Sequence, residues 1–323
     1  MIKTKVLVAM SGGVDSSVSA HLLLRQGFLV SGAFMELWPS VKKDNAQRVA
    51  KKLNIPFYTF NFKKEFRKEV VDYFLKDIKR GVTPNPCVVC NKKIKLGLFL
   101  KKAKELGFDF VATGHYAKSR GGIIERNKSE KDQTYFLWQL KQSQINKIIF
   151  PLSDLSKEGV KVIAKRISIS PNKESMDVCF TEKSMSSFLS KHIKKKNGDI
   201  KDISGELLGK HNGFFNYTIG QRKGLNLPGG PYFVVAKNIK KNILIVSKNE
   251  KDLYRKEVKL KNINWIGEKR EAVDVQVRFG QKPSKAKVLG NRVVFNKPQK
   301  AVTPGQSAVF YSGNRLLGGG IML

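Results

Sequence analysis

The chain contains few cysteines, few carboxylates and no long apolar run. Its 323 residues include three cysteines, an odd number that argues against a disulfide framework. No apolar stretch approaches the length needed to cross a bilayer. The N-terminus lacks the apolar core of a signal peptide, because Lys3 and Lys5 lead directly into the first strand. We therefore expect a soluble, cytoplasmic protein with two or three domains.

The shortage of acidic residues leaves a large positive charge. Asp and Glu number 26 against 61 Lys and Arg, so the net charge is +35. An AT-rich genome explains the choice of Lys over Arg, but it explains the shortage of carboxylates less well. A surplus of this size attracts polyanions. Nucleic acid is therefore the favoured partner, and an anionic membrane surface is the weaker alternative.

The first half of the chain alternates apolar strands with amphipathic helices. Four apolar runs predict strands, at residues 5–10, 29–35, 57–62 and 108–114. After the third run, one helical face carries an apolar residue at every fourth position: Phe66, Val70, Phe74 and Ile78. This alternation predicts an α/β domain over residues 1–193, with a parallel sheet covered by helices on both faces.

Strands dominate the rest of the chain. A hairpin is predicted for Tyr232–Ala236 and Ile243–Ser247, which flank a Lys/Asn turn. We assign residues 194–251 to a central β-rich domain. Short strands over residues 252–323 predict a third domain, a small β-barrel.

A glycine turn between the first strand and the first helix is the most informative motif. Gly12 and Gly13 lack a Cβ, so the backbone can bend and direct N–H groups at a ligand. The helix N-terminus adds unpaired donors and partial positive charge, and hydroxyls follow at Ser11, Ser16 and Ser17. We interpret the turn as a cradle for phosphate oxygens; the alternative is an ordinary Gly/Ser turn.

This turn is neither a Walker loop nor a Rossmann fingerprint. A Walker loop would place Lys-Ser/Thr after its second glycine. The sequence instead resembles the SGGxDS signature of the ATP pyrophosphatases, which cleave ATP to AMP and pyrophosphate. The matching residues are Ser11, Gly12, Gly13, Asp15 and Ser16.

Two of the cysteines form a CxxC pair after a proline-rich turn. Cys87 and Cys90 follow Pro84 and Pro86, and a helix is predicted to begin near Cys90. A helix dipole stabilises a thiolate at its N-terminus. The alternative is a pair of buried, small apolar side chains. Cys179 lies far along the chain, and taken alone it fits a lone core cysteine equally well.

Further candidates lie at the ends of predicted strands. Gly114 and His115 follow the fourth strand, and Met35 ends the second, at the edge where open α/β sheets bind ligands. We expect His115 either to find its hydrogen-bond partners within its own loop or to contact phosphate or RNA. Met35 taken alone favours core packing over contact with an adenine ring.

Seven motifs occur in one order along nearly the whole chain. Together they resemble the tRNA-specific 2-thiouridylases, the MnmA/TrmU family, and the Tyr217–Gly224 motif is especially specific. The motifs are Ser11–Ser17, Asn85–Asn91, Ala112–Ala117, Lys131–Gln133, Cys179-Phe180, Tyr217–Gly224 and Pro304–Gln306.

The resemblance implies a reaction on the wobble uridine of a tRNA anticodon. ATP, with Mg²⁺, adenylates the C2 carbonyl oxygen and pyrophosphate leaves. Sulfur from a cysteine persulfide then displaces AMP. The target base must be splayed out of the anticodon loop to be reached. The implied partners are tRNA and a sulfur donor (a cysteine desulfurase, a relay protein or sulfide), without a membrane.

The resemblance also assigns roles to individual residues. It implies that Cys90 is the nucleophile and that Cys179 carries the persulfide. The implied ATP site comprises Ala9, Met10, Ser11, Gly12, Gly13, Val14, Asp15, Ser16, Met35 and Gly114. The implied tRNA contacts are Asn85, Pro86, Cys87, His115, Lys131, Asp132, Gln133, Arg278, Phe279 and Gln306. Arg278 also lies on the polar face of a predicted strand over Val273–Phe279, which suits a phosphate contact or a merely solvated side chain.

Cys87 departs from the family pattern, because many members carry Asp at this position. With Cys90 and Cys179 it forms a three-cysteine set, which could hold a [4Fe–4S] cluster with one iron open to sulfide. We expect the persulfide route instead, with Cys90 resolving the Cys179 persulfide to a disulfide.

Two other functions are compatible with parts of the sequence. A GMP-synthetase-like pyrophosphatase would require neither cysteines nor a strong positive charge. A non-catalytic tRNA-binding relative would be favoured by an eroded ATP loop, and the loop is intact.

Overall fold

The computed structural model describes residues 3–39, 42–127, 129–169, 178–181 and 184–323. A parallel five-stranded sheet forms the centre of the first domain. Its strands are β1 (Lys5–Ala9), β2 (Leu29–Glu36), β3 (Phe57–Asn61), β4 (Phe110–Ala112) and β7 (Ile148–Ile149). Their order is β3-β2-β1-β4-β7, so the chain reverses direction across the sheet between β1 and β4. Such a reversal opens a crevice at the carboxyl ends of the strands.

Helices cover both faces of this sheet. Alternate residues of β1 show the two cores: Val6 and Val8 pack with α1, α2 and α8, whereas Leu7 packs with the other helices. The helices are α1 (Val14–Arg25), α2 (Asp44–Lys52), α3 (Lys63–Phe66), α4 (Asp72–Lys79), α5 (Pro86–Cys90), α6 (Phe99–Glu105), α7 (Gln142–Ile145), α8 (Lys157–Arg166) and α9 (Met185–His192).

Two π-helical segments extend these helices. Arg67–Val71 joins α3 to α4, and Asn91–Leu98 joins α5 to α6. The predicted apolar stripe is confirmed, because all four of its residues are buried: Phe66, Val70, Phe74 and Ile78. The predicted start of the second helix is wrong. The helix begins at Pro86, not near Cys90, because proline is well suited to the first helical position.

The central region is a four-stranded sheet. Its strands are β8 (Gly198–Asp202), β9 (Leu207–His211), β10 (Phe233–Asn238) and β11 (Ile243–Ser247), in the order β10-β11-β8-β9. The predicted hairpin is confirmed, since β10 and β11 pair in antiparallel register. Ile200, Val234 and Leu244 form its small core together with Tyr217.

The C-terminal region is a closed antiparallel barrel. Its strands are β12 (Tyr254–Trp265), β13 (Ala272–Gln276), β14 (Ser284–Leu289), β15 (Arg292–Lys300), β16 (Ser307–Ser312) and β17 (Arg315–Met322). The barrel closes because β12 pairs with both β15 and β17. A hairpin from the first domain, β5 (Ala117–Arg120) and β6 (Ile123–Arg126), joins the same sheet beside β17. The predicted fold class is confirmed: a helix-covered parallel sheet followed by two β-rich regions, the last a barrel.

One strand prediction is wrong in its extent. The run Val273–Phe279 leaves the sheet after Gln276, whose buried amide donates to the Arg278 and Gln281 carbonyls. Phe279 is therefore 45% exposed rather than buried. The predicted domain boundaries at 193/194 and 251/252 stay predictions. Among the described residues, no helix combines the length and apolar character needed to cross a membrane.

Candidate active site

The phosphate cradle forms where β1 turns into α1. Gly12 has a φ of +78°, and a Cβ there would lie 2.7 Å from Ala46 N, so only glycine fits between this turn and α2. Gly13 is the N-cap of α1, and its N–H donates to Ser11 Oγ at 3.3 Å. Ser16 Oγ in turn donates to the Gly13 carbonyl at 3.1 Å. Backbone N–H groups, hydroxyls and a helix N-terminus thus converge, an arrangement suited to phosphate oxygens.

Asp15 links this cradle to two residues that the sequence did not single out. Lys157, at the start of α8, places Nζ 2.8 and 2.9 Å from the two carboxylate oxygens of Asp15. The hydroxyl of Tyr116 donates to Asp15 Oδ1 at 2.8 Å. The Lys157 ammonium also lies 5.8 Å from the centre of the Tyr116 ring. A cation is therefore held beside the phosphate cradle.

The end of β4 packs directly on the cradle. A Cβ on Gly114 would lie 2.9 Å from both Ser16 N and the Asp15 carbonyl carbon, so this glycine permits the close approach. His115 follows, and its Nδ1 is 2.8 Å from Thr113 Oγ1. Burial, with a smaller effect of Lys95, lowers the pKa of His115 to about 3. His115 is thus a neutral residue with a partner in its loop, which does not suit it to bind phosphate as a cation.

The other predicted ATP-site residues lie at the carboxyl edge of the sheet. Ala9 ends β1, and Met10 is buried with its N–H donating to the Ala33 carbonyl. Val14 begins α1 and is also buried. Met35 is half-buried near the end of β2 and packs against the core.

Cys87 and Cys90 lie in α5, which continues through the π-helical segment Asn91–Leu98 into α6. Asn85 is its N-cap and Pro86 its first residue. Cys87 is half-buried and Cys90 is buried, and neither forms a disulfide. Burial raises the pKa of the Cys90 thiol to about 12, although Lys95 opposes this rise. The expectation of a lowered thiol pKa is therefore wrong for Cys90 in this structure, because desolvation outweighs the helix dipole.

Lys95 connects the thiols with the edge of the sheet. Cys179 is accessible, yet partial desolvation raises its pKa while Lys95 lowers it. Although burial alone would lower the pKa of Lys95, the Cys90, Cys179 and Cys87 thiolates raise it. The same ammonium group acts on His115, next to the phosphate cradle. One lysine thus lies within electrostatic range of all three cysteines and of the loop beside the cradle.

A π-helical turn explains the position of Lys95. In an α-helix, residues five apart point in directions about 140° apart, but a π-helix hydrogen-bonds residues five apart and so aligns them. Lys95 is five residues after Cys90 and lies in the π segment. Gly97 permits this turn, since a Cβ there would lie 2.6 Å from Lys92 O. Gln144 Nε2 supports it by donating to the Leu96 carbonyl at 2.6 Å.

Lys131, Asp132 and Gln133 are adjacent tRNA-contact candidates, and the last two form hydrogen bonds within the protein. Asp132 is buried and accepts hydrogen bonds from Asn127 N and Thr134 Oγ1 at 2.9 and 2.8 Å. Burial raises its pKa, although these bonds oppose the rise. Gln133 accepts from Tyr116 N at 3.2 Å. Lys131 is exposed.

The remaining candidates lie on the barrel. Arg278 is exposed, and the Phe279 ring lies 4.7 Å from the Phe136 ring, which belongs to the first domain. Gln306 does not project freely, because its Nε2 donates to the carbonyls of Thr83 and Pro84 at 3.0 and 3.4 Å. Both sets of contacts bring the barrel against the part of the first domain that carries Cys87 and Cys90.

Comparisons with known proteins cover the chain from end to end. A family model described as "tRNA methyl transferase HUP domain" matches residues 4–183. Models described as "tRNA methyl transferase PRC-barrel domain" and "Aminomethyltransferase beta-barrel domain" match residues 186–248 and 255–322. The tRNA-specific 2-thiouridylase MnmA 2 of Clostridium botulinum is 41% identical over 350 residues, covering 100% of this chain and 99% of the relative. The chain belongs to the tRNA-specific 2-thiouridylase family.

Another family member gives the same result. The 2-thiouridylase MnmA of Listeria monocytogenes is 42% identical over 347 residues, covering 98% of this chain and 94% of the relative. Among solved structures, a U34-tRNA thiolase NcsA from Methanococcus maripaludis with its [4Fe-4S] cluster is 19% identical. It matches 59% of this chain and 64% of its own, with a TM-score of 0.38. Because that score is low, the likeness does not bear on the function of this 2-thiouridylase family member.

The three cysteines do not fit an iron–sulfur cluster as they are placed. Among the described residues, no group of three or more His, Cys, Asp or Glu side chains could hold a metal ion.

We expect Lys157→Met to raise the KM for ATP about 10- to 100-fold, the effect of losing one charge-assisted hydrogen bond. The substitution removes the cation beside the cradle and leaves Asp15 uncompensated. Steady-state kinetics and equilibrium ATP binding measure the effect. Lys161→Met is the matched control, because Lys161 is exposed one turn along the same helix. An equal loss in both variants, or in neither, would contradict a role for Lys157 in ATP binding.

Proposed function

We propose that this chain is a tRNA-uridine 2-sulfurtransferase acting in the cytoplasm on the wobble uridine of tRNA. The observation that carries the proposal is the 41% identity to a 2-thiouridylase over the whole chain. Physical support comes from Gly114, which packs on the phosphate cradle, and from Lys95, which acts electrostatically on the neighbouring His115 and on the three thiols. Residues 1–193 would carry the chemistry, and residues 194–251 and 252–323 would help to seat the tRNA.

In the first step, ATP enters with Mg²⁺ as the substrate complex and activates the base. The C2 carbonyl oxygen of uridine attacks the α-phosphate, an O-adenylyl bond forms and pyrophosphate leaves. The cradle from Ser11 to Ser16 would bind phosphate oxygens through its N–H groups and hydroxyls. Lys157 would offset the negative charge of the departing pyrophosphate. Activation is needed because a carbonyl oxygen is a poor leaving group.

In the second step, sulfur replaces the adenylated oxygen. The terminal sulfur of a Cys179 persulfide attacks C2, and AMP leaves with the electron pair of the C2–O bond. The Cys90 thiolate then attacks Cys179 Sγ, so the persulfide S–S bond breaks and its terminal sulfur stays on C2 as the thione. Cys90 and Cys179 are left as a disulfide. A thiol reductant restores the thiols, and a sulfur donor reloads Cys179.

Asn91, the residue after Cys90, carries a buried acceptor. Its Nδ2 donates to the Phe136 carbonyl at 3.2 Å, while its buried Oδ1 has no hydrogen-bond partner among the described residues. A buried acceptor without a partner is rare in proteins.

The surface charge supplies the affinity for RNA. The net charge of +35 attracts the phosphate backbone, and Lys131 and Arg278 are exposed. The exposed ring of Phe279, tilted against the Phe136 ring, offers a face on which a splayed base can stack.

Reconstitution tests the proposed function. The purified protein is incubated with ATP, a tRNA that carries a wobble uridine, and a persulfide donor. Nucleoside mass spectrometry is expected to show 2-thiouridine, with AMP and pyrophosphate released only when tRNA is present. A tRNA with cytidine at the wobble position is the matched control. Equal AMP formation with and without the wobble-uridine tRNA would refute the proposal. So would a complete reaction mixture that yields no 2-thiouridine.

A further inference from the structure

The loop that leads into the cysteine-bearing helix is held by the barrel. The N–H of Thr83 donates to the Pro304 carbonyl at 3.0 Å. In the opposite direction, Gln306 Nε2 donates to the carbonyls of Thr83 and Pro84 at 3.0 and 3.4 Å. These bonds join residues more than two hundred positions apart, so they fix the first domain against the barrel. We call residues 81–85 the clasp loop.

The clasp loop also makes close contacts with both β-rich regions. Gly305 has a φ of +92°, and a Cβ there would lie 2.8 Å from Thr83 O and 2.2 Å from Val82 Cγ1. A Cβ on Gly81 would lie 2.2 Å from Ile239 Cδ1, in the central region. The clasp loop is therefore packed against both β-rich regions, and the Thr83 carbonyl leaves no space for an added methyl group at Gly305.

This loop determines where two thiols lie. It ends at Asn85, the N-cap of the helix that begins with Pro86 and carries Cys87 and Cys90. A shift of the loop would be passed on to the helix, because no flexible residue intervenes between the N-cap and Cys87. The thiol of Cys90 is buried, so its access depends on how firmly the start of the helix is held.

We propose that Gln306 is a positioning residue that holds the clasp loop, and with it Cys90, in register with the barrel. This inference rests on the proposed function, in which Cys90 attacks the persulfide sulfur. The amide nitrogen of Gln306 donates to the carbonyls of Thr83 and Pro84, which holds this side chain against the clasp loop in the absence of RNA.

The experiment compares Gln306→Ala and Gln306→Glu with the wild type. Alanine removes both hydrogen bonds, and a glutamate carboxylate repels the two carbonyl oxygens that it faces. In the free protein, without ATP or tRNA, we expect iodoacetamide to alkylate Cys90 about fivefold faster or more in both variants. Alkylation at Cys179, which is not on this helix, is expected to change by less than about twofold, which excludes general unfolding. Peptide mass spectrometry measures both rates.

The same variants are then assayed for thiolation. We expect kcat to fall about tenfold while the Kd for tRNA stays within about twofold, because a positioning defect acts on the chemical step. Gln299→Ala is the control, since the hydrogen bonds of Gln299 stay within the barrel. Ile239→Ala, which loosens the loop from the central region, is expected to act in the same direction.

Two results would overturn the assignment. One is unchanged Cys90 alkylation in both Gln306 variants. The other is a large loss of tRNA affinity with wild-type alkylation, which would make Gln306 a direct RNA contact. The alkylation measurement does not need enzyme activity. If the wild type formed no 2-thiouridine, the proposed function would fail, and the Cys90 rates would still decide whether Gln306 holds the loop.

Discussion

Replacing either Cys90 or Cys179 by serine is expected to reduce 2-thiouridine formation by at least about 10³-fold, the scale of losing a covalent nucleophile. Both variants are expected to release pyrophosphate in a tRNA-dependent manner, since adenylation of the base needs no thiol. They differ in sulfur loading. Cys90→Ser is expected to retain a persulfide at Cys179, whereas Cys179→Ser retains none there. Nucleoside mass spectrometry, a pyrophosphate assay and ³⁵S labelling measure the three quantities.

Cys87 supplies the control for this prediction. Because many family members carry Asp at this position, Cys87→Asp is expected to keep at least about a tenth of the activity. If instead Cys87→Asp were as inactive as the other two variants, all three cysteines would act as one set. A loss of pyrophosphate release in Cys90→Ser or Cys179→Ser would likewise contradict the separation of adenylation from sulfur transfer.

The fold was largely predictable because its signals are local. Phe66, Val70, Phe74 and Ile78 repeat with a helical period, and their burial followed from that spacing. Closure of the barrel could not be derived in this way. It depends on pairing of β12 with β17, whose residues are more than fifty positions apart, and no local pattern specifies that register.

The candidate site likewise combines a part that the sequence predicts with a part that depends on tertiary packing. The phosphate cradle was predictable because its turn chemistry lies within seven consecutive residues, from Ser11 to Ser17. Lys157 reaches the cradle only through the packing of α8 on α1. One weak signal was present in the sequence: a lysine in the first turn of a helix opposes the helix dipole, which favours a nearby carboxylate. Asp15 is that carboxylate.

The wrong expectation about Cys90 has a physical cause. A helix terminus favours a thiolate by a modest amount, and the effect declines within the first turn. Cys90 lies beyond that turn, because the helix begins at Pro86. Burial then acts in the opposite direction and raises its pKa. The sequence contained the proline, but the depth of burial depends on how α5 packs against the rest of the domain.

This burial makes the charge of Lys95 important for reactivity. Lys95 lowers the pKa of Cys90 and of Cys179, and its removal is therefore expected to raise both. Below the pKa, the thiolate fraction falls tenfold for each unit by which the pKa rises. Lys95→Met should thus reduce thiol reactivity at neutral pH. The loss should diminish as the pH approaches 12, where the wild-type Cys90 also ionises.

We expect Lys95→Met to slow both iodoacetamide alkylation of Cys90 and 2-thiouridine formation by about 10- to 100-fold at pH 7.5, because a smaller fraction of the thiol is then ionised. Alkylation rates of the Cys90 and Cys179 peptides are measured from pH 7 to pH 10. Lys95→Arg keeps the charge and is expected to keep most of the rate. Lys92→Met is the matched control on the same helix, since the charges acting on Lys92 are Lys93 and Lys141 rather than the cysteines. Superimposable pH profiles for Lys95→Met and the wild type would show that this ammonium group does not govern the thiols.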